Sequence, residues 1–368
     1  MYTLSLEIVN KCNLNCSYCY LGEKKNTFMT FDTAKKAVDI AAHETKKQYD
    51  KLLVVYFIGG EPLLAFDLIK QIVNYTKYKC GEYGLRFIFS TTINGTLITE
   101  KITDFFIENR FELKVSIDGP EYVHNLNRKT YSHEGSFESI MRNWTLLKKY
   151  EQETGNYISI AHVVTANNYH YLSDSFNYFL TLNCKKIETG IDHYCDWSES
   201  ELEQLKENIE DVFYIYKEYM QKNKSGIFWN LFEQYIKSYI FGCPFYACRA
   251  GLNNVYITTS GEIFTCIELP EFHIGSVFDG LNVPRIREIA YAEDCIIDEC
   301  QDCKYIKMCK TRSCQASNFE INKNIYKPVH INCFVTKTMF ELFEKNITQK
   351  QIEYIKQAYK GDSKYGNK

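Results

Sequence analysis

From residue 2 to residue 191 the chain alternates strand-like and helix-like segments six times, and that rhythm limits the folds open to it. Residues 2–9 alternate polar and apolar side chains, as a strand does. Residues 52–58 form a continuous apolar run, the pattern of a strand covered on both faces. Further strands are expected over 85–90, 113–117, 157–164 and 186–191. A helix is expected from Asp32, read as its N-cap, to about Tyr49, with Ala34, Ala37, Val38, Ala41 and Ala42 on one face. Others are expected over 65–79, 99–109, 136–150 and 169–182. Regular alternation implies a parallel sheet in an α/β fold. Six units rather than eight predict a partial (β/α)6 TIM-like barrel, whose chemistry gathers at the C-terminal ends of its strands.

The 368 residues leave room for a smaller second domain. The expected division is a barrel over 1–195, a helical bridge over 196–240, a Cys-rich domain over 241–340, and a helix and tail over 341–368. The bridge carries amphipathic helices near 198–222 and 228–239. The tail is helical from about Val335 to Glu344, then polar, and frayed beyond Lys360. Net charge is −3 with no basic block, which argues against nucleic acid or an anionic membrane as partner. No apolar run approaches spanning length, and the N-terminus lacks the pattern of a signal peptide, so a cytoplasmic protein is expected. In that reducing compartment 15 cysteines favour metal or redox roles over a disulfide framework.

Three of them, Cys12, Cys16 and Cys19, share one short stretch directly after the first strand. Three thiolates on a tight loop can hold three corners of a four-iron cube and leave the fourth iron open to a chelating small molecule. The competing reading is zinc, which needs four ligands. The first histidine, His43, falls inside an expected helix, and no fourth ligand lies close by. After the second strand comes Gly59-Gly60-Glu61-Pro62, where glycines admit close backbone approach and Glu61 offers a carboxylate to an ammonium group. Alone it reads as a turn into a helix. The third strand ends at Asn94-Gly95, first of all a tight turn. The fourth ends in Ser116-Ile117-Asp118-Gly119-Pro120, followed by His124 and Arg128.

The C-x3-C-x2-C loop with Tyr20 behind it, the G-G-E-P turn and the S-I-D-G-P-x3-H-x3-R segment together resemble the radical S-adenosylmethionine (radical SAM) enzymes. The resemblance implies a [4Fe–4S] cluster on Cys12, Cys16 and Cys19. It implies SAM contacts from Tyr18, Gly59, Gly60, Glu61, Asn94, Ser116, Asp118 and Arg128. Glu61 would meet the SAM ammonium, Ser116 and Asp118 the ribose, and Arg128 the carboxylate. SAM chelating the open iron would be cleaved reductively to a 5′-deoxyadenosyl radical, which abstracts a hydrogen from the substrate.

Eight more cysteines follow, as Cys243-x4-Cys248, Cys266, then Cys300-x2-Cys303-x5-Cys309-x4-Cys314, then Cys333. This array resembles the SPASM extension of radical SAM enzymes, which carries two auxiliary [4Fe–4S] clusters. The resemblance implies Cys243, Cys248, Cys266 and Cys314 on the first, and Cys300, Cys303, Cys309 and Cys333 on the second. Four residues rather than the family's three separate Cys309 from Cys314, which leaves Cys295 as a substitute ligand. Two closed zinc sites are the competing reading. Lys304, Lys307, Lys310 and Arg312 interleave with the second group, as cluster-tuning cations or as a solvated loop. Cys80, Cys184 and Cys195 are expected to be buried structural thiols.

Relatives with this extension modify ribosomally made peptides or proteins. The resemblance therefore implies a precursor-peptide maturase that forms a thioether or carbon–carbon crosslink. Expected partners are the peptide and a reductase, flavodoxin or ferredoxin as electron donor; since no recognition domain precedes the cluster loop, a leader peptide is expected to bind the barrel, the extension or a separate partner protein. The runner-up is an anaerobic sulfatase-maturating enzyme, which makes formylglycine from Cys or Ser. In that branch an Asp base follows the cysteine matching Cys266, whereas this chain has Ile267 and then Glu268. Glu268 or His273 is the expected base. A third reading, from another class, is a non-catalytic metal scaffold or electron-transfer protein.

Overall fold

Strand β1 (Tyr2–Val9) buries Tyr2, Leu4, Leu6 and Ile8 on one face. Helix α1 (Phe31–Lys46) packs there with Ala34, Ala37, Val38 and Ala41, whose small side chains allow close approach. The computed structural model describes residues 1–223, 226–266 and 268–362, with side chains as far as residue 357. It divides into two compact units, Met1–Asp192 with Ser225–Ile227 and Arg249–Ala292, and His193–Lys224 with Phe228–Cys248 and Glu293–Lys368.

In the first unit β1, β2 (Leu52–Gly59), β3 (Arg86–Ile93), β4 (Glu112–Ser116), β5 (Ser159–Val164) and β6 (Lys186–Ile191) pair in chain order, every pair parallel. Helices α2 (Phe66–Tyr83), α3 (Glu100–Glu108), α4 (Glu121–Asn127), α5 (Phe137–Arg142), α6 (Trp144–Thr154) and α7 (Leu172–Thr181) fall between them. This is the α/β fold with a parallel sheet that the alternation predicts. Buried aromatics anchor it, with Phe57 on Phe111 at 5.8 Å and Phe106 on Phe111 at 4.8 Å. Each fully buried Phe contributes about 1.5–3 kcal/mol relative to exposure.

Several expectations need correction. Thr30, not Asp32, caps α1: its backbone is extended and its hydroxyl accepts from the Thr33 N–H at 3.1 Å, leaving Asp32 in the first turn. The helix expected over 136–150 is two, parted at Asn143, whose amide donates to the Gly95 and Thr96 carbonyls at 3.1 and 3.2 Å. Helix α4, which the sequence reading lacks, begins at Glu121 directly after the turn read at Asp118-Gly119-Pro120. Within the Cys-rich stretch, β7 (Asn254–Ile257) adds to β1 in parallel. Strands β8 (Glu262–Phe264), β9 (His273–Ser276) and β10 (Gly280–Leu281) extend the sheet antiparallel. At two to four residues, these strands are too short for a periodic signal.

The second unit gathers the helices Glu199–Lys222, Asn230–Phe241 and His330–Asn346 around Phe213, Phe232, Phe340 and Phe343. Ser198 and Glu201 close a capping box on the first. The last helix begins five residues before the expected Val335, and a further helix, Gln349–Asp362, occupies most of the stretch read as tail. The fraying expected beyond Lys360 falls largely outside the described residues. No described helix is long and apolar enough to cross a membrane.

Candidate functional site

The three-cysteine loop leaves the C-terminal end of β1, and the segment after α4 clamps it. The Asn15 N–H donates to the Lys129 carbonyl at 2.7 Å and the Ser17 N–H to that of Asn127 at 3.0 Å. The Ser17 hydroxyl donates to Asn127 Oδ1 at 2.8 Å, and the Lys24 ammonium to the Leu14 carbonyl at 2.9 Å. Cys12 is buried, Cys16 and Cys19 half-buried. Burial pushes the Cys12 thiol up to about 11 and raises Cys16 too, against the pull of the Arg128 guanidinium beside it. Among the described residues no three His, Cys, Asp or Glu side chains converge closely enough for a single metal ion. A four-iron cube spreads its ligands wider than one ion does.

The G-G-E-P turn lies against this loop. The Gly60 N–H donates to the Val9 carbonyl at 2.7 Å and the Glu61 N–H to the Lys11 carbonyl at 3.0 Å. A Cβ on Gly60 would stand 2.2 Å from the Lys11 oxygen, so only glycine fits. Glu61 is buried; its carboxylate accepts from the Asn94 N–H at 2.7 Å and the Leu63 N–H at 3.0 Å. Burial lifts its pKa to about 7 in spite of those donors and of Arg128. The Asn94 amide donates to Asn13 Oδ1 at 2.8 Å and stands 3.9 Å from the Cys12 sulfur. Asn94 thus ties the third strand end to the cysteine loop, beyond the turn its sequence announces.

A second network is sealed below it. The Tyr18 hydroxyl donates to Asp118 Oδ2 at 2.8 Å and accepts from Arg128 at 2.7 Å. Asp118 Oδ1 accepts the Val163 N–H at 3.1 Å. Burial raises the Asp118 carboxyl, and Arg128 and the Tyr18 hydroxyl oppose that rise. The Asp118 N–H donates to His124 Nδ1, which leaves Nε2–H to donate to Ser136 Oγ, itself donating to the Arg128 carbonyl. Burial keeps His124 in this neutral form. Ser116 ends β4 in register with Ala161. Arg128 is buried, and its Nε–H has no acceptor among the described residues, an arrangement that a bound anionic group would complete.

Two expectations about a base part company. His273 pairs with Glu262 at 2.7 Å, both side chains well exposed. Glu268 acts electrostatically on the buried Glu7 and on Tyr256, and the Glu7 carboxylate also accepts from Asn10 at 2.7 Å. Glu7 escaped sequence reading because one acidic residue in a strand carries no signal. Asn13 and Asn127 were missed because a single asparagine in a loop or at a helix end carries no signal either.

Of the C-terminal thiols, Cys300, Cys303, Cys309 and Cys333 act on one another electrostatically within the second unit. Cys243 and Cys314 both act on Lys310. The Cys243 N–H donates to the Lys307 carbonyl at 2.9 Å, and its thiol to Ser313 Oγ at 3.6 Å. Cys295 instead faces the Tyr326 hydroxyl. Cys248 belongs to the second unit and Cys266 to the first, and both are exposed. Cys80 and Cys184 are buried as expected; Cys195 is only half-buried.

Residues 6–176 match the Radical SAM superfamily model. A cysteine-type anaerobic sulfatase-maturating enzyme of Clostridium perfringens is 25% identical over 338 residues, 83% of this chain and 87% of that protein. An uncharacterized protein of Methanocaldococcus jannaschii is 35% identical over 187 residues, 51% of this chain and 61% of its own length. Among solved structures, native anSMEcpe with bound AdoMet superposes with a TM-score of 0.75 at 21% identity, covering 93% of this chain and 97% of that one. Streptococcus suis SuiB bound to precursor peptide SuiA superposes at 0.59 with 15% identity, covering 90% and 75%. At these identities the superpositions establish the fold.

Proposed function

We propose that this chain, which carries a radical SAM domain and is homologous to anaerobic sulfatase-maturating enzymes, oxidatively modifies a residue of a ribosomally made peptide. The observation that carries the reading is the clamped Cys12–Cys16–Cys19 loop with the buried, incompletely bonded Arg128 beside it. A [4Fe–4S] cluster on those thiols, with SAM bound, supplies a 5′-deoxyadenosyl radical and so carries the hard step. The chain's own residues do the rest. Glu61 takes the ammonium of SAM, a cation that returns its carboxyl to the ionised form. Arg128 takes the SAM carboxylate and thereby pairs its unused Nε–H. Ser116 and Asp118 serve the ribose end, and Tyr18 holds Asp118 and Arg128 in register with the loop. Burial of Glu61, Asp118 and Arg128 keeps water from the bound nucleotide.

Two auxiliary clusters belong to this reading, the first on Cys243, Cys248, Cys266 and Cys314, the second on Cys300, Cys303, Cys309 and Cys333. The shared influence of Cys243 and Cys314 on Lys310 favours Cys314 over Cys295. SuiB, a structural neighbour, is seen with its precursor peptide, which supports a peptide as substrate. An external reductase, flavodoxin or ferredoxin supplies the electron.

Sulfatase maturation is the second reading, favoured by a match that runs through most of both chains. Against it stand Ile267 and Glu268 where that branch has its Asp. Mass spectrometry decides. The protein is co-expressed with a short neighbouring open reading frame and, separately, with a sulfatase peptide containing the Cys or Ser target. Loss of hydrogens from the first, with the second unaltered, is the expected result. Conversion of the second to an aldehyde, with the first unaltered, would replace it with sulfatase maturation.

A further inference from the structure

The four interleaved cations of the Cys-rich segment go to different places. Lys304 reaches Glu344 at 2.9 Å, its side chain 64% exposed, where solvent screens it. Lys307 is exposed, and Lys310 bonds Gln234. Arg312 alone turns inward. Its side chain is 7% exposed, and its charge acts on Cys300 and Cys309. Its backbone N–H donates to the Cys309 sulfur at 3.4 Å. The guanidinium grips Asp294 with two nitrogens and stands 5.6 Å from the centroid of the Phe245 ring. Its Nε–H is buried with no acceptor among the described residues. A buried unpaired donor costs about 1–3 kcal/mol, and the sulfur of a bound cluster would offer an acceptor.

We infer that Arg312 is a positioning residue that raises the potential of the cluster held by Cys300, Cys303, Cys309 and Cys333. The inference rests on the auxiliary clusters proposed above. Reduction adds negative charge, so a fixed cation beside the ligands favours the reduced form and raises the potential. The other charges facing this set are weaker. Lys337 acts on Cys333 from an exposed position, and Glu299 opposes on Cys300. Asp294 offsets Arg312 in part, but its side chain is 45% exposed and water screens it. The inward charge therefore dominates, and removing Arg312 or Asp294 must move the potential in opposite directions.

The test is EPR-monitored potentiometric titration of the full chain, reconstituted anaerobically, in a Cys12→Ala, Cys16→Ala, Cys19→Ala background so that only the C-terminal clusters report. Arg312→Gln is expected to keep its iron and lower one midpoint, cutting the reduced-to-oxidised ratio at fixed potential about tenfold, a shift of ~59 mV for one electron. Arg312→Lys restores most of it, and Asp294→Asn moves the same midpoint upward. An unmoved midpoint in Arg312→Gln with iron intact overturns the inference. Should Arg312→Gln lose iron, Asp294→Asn decides: an upward shift sustains the inference, and no shift or a downward one overturns it. Absence of both clusters from the parent protein would sink the auxiliary-cluster reading itself, a result distinguishable by iron and sulfide content alone.

Discussion

Each unit holds a buried arginine beside a set of cysteines, and the two are built differently. Arg128 meets Asp118 through the Tyr18 hydroxyl, and all three lie in a network closed by backbone donors. Arg312 grips Asp294 directly, and that carboxylate faces solvent. The loop around Cys12, Cys16 and Cys19 is fastened by strand ends and the α4 segment before any metal arrives. Cys295 and Cys314 in the second unit are exposed, and Cys300, Cys303 and Cys309 sit on or beside helical turns of three or four residues. On the reading proposed above, one site is pre-organised by the chain, whereas the other would gain its order from a bound cluster.

The sharpest way to break this comparison is to remove one ligand from each. Cys16→Ala is expected to lower 5′-deoxyadenosine formation on the order of a thousandfold or more, because the cofactor carries the hard step. Cys309→Ala is expected to lose iron and product while retaining SAM cleavage within about tenfold, since in the proposed reading its cluster only receives electrons. Equal loss of cleavage in both would erase the distinction. Pre-organisation is probed next by Gly60→Ala, whose methyl would press on the Lys11 carbonyl. A loss of about 2–4 kcal/mol in urea unfolding of the metal-free protein is expected. An unchanged midpoint would mean that the loop is not clamped.

The smallest effect is a pH slope confined to the barrel unit. His162 is fully buried, bonds Thr189 at 2.9 Å, and is pushed by burial from 6.5 down to about 3. The unfolded chain therefore binds a proton below 6.5 that the folded chain refuses, so stability falls as pH drops toward 3. Between pH 7 and pH 5 the loss is about 2 kcal/mol. His162→Gln should flatten that part of the curve in denaturant titrations at the two pH values.

Much of this was legible in the chain. Leu52 to Ile58 announces a strand through its apolar run, and Gly60 and Glu61 announce a ligand turn through residue type, since both signals are local. Asn143 splitting a helix, and Thr30 taking a cap from Asp32, were not, because each outcome depends on which carbonyl or N–H a side chain meets. His273 looked as suitable a base as Glu268 until its pairing with Glu262 at the surface was seen.

By itself, then, the sequence determined the parallel α/β order and the spacing of the cysteine groups, because hydrophobic period and residue spacing are properties of short segments. Only the tertiary structure decided that Asp118 is held by Tyr18 and that Arg312 turns inward among four interleaved cations. Burial and Coulomb interaction depend on residues a hundred positions apart, and no local pattern encodes their distance.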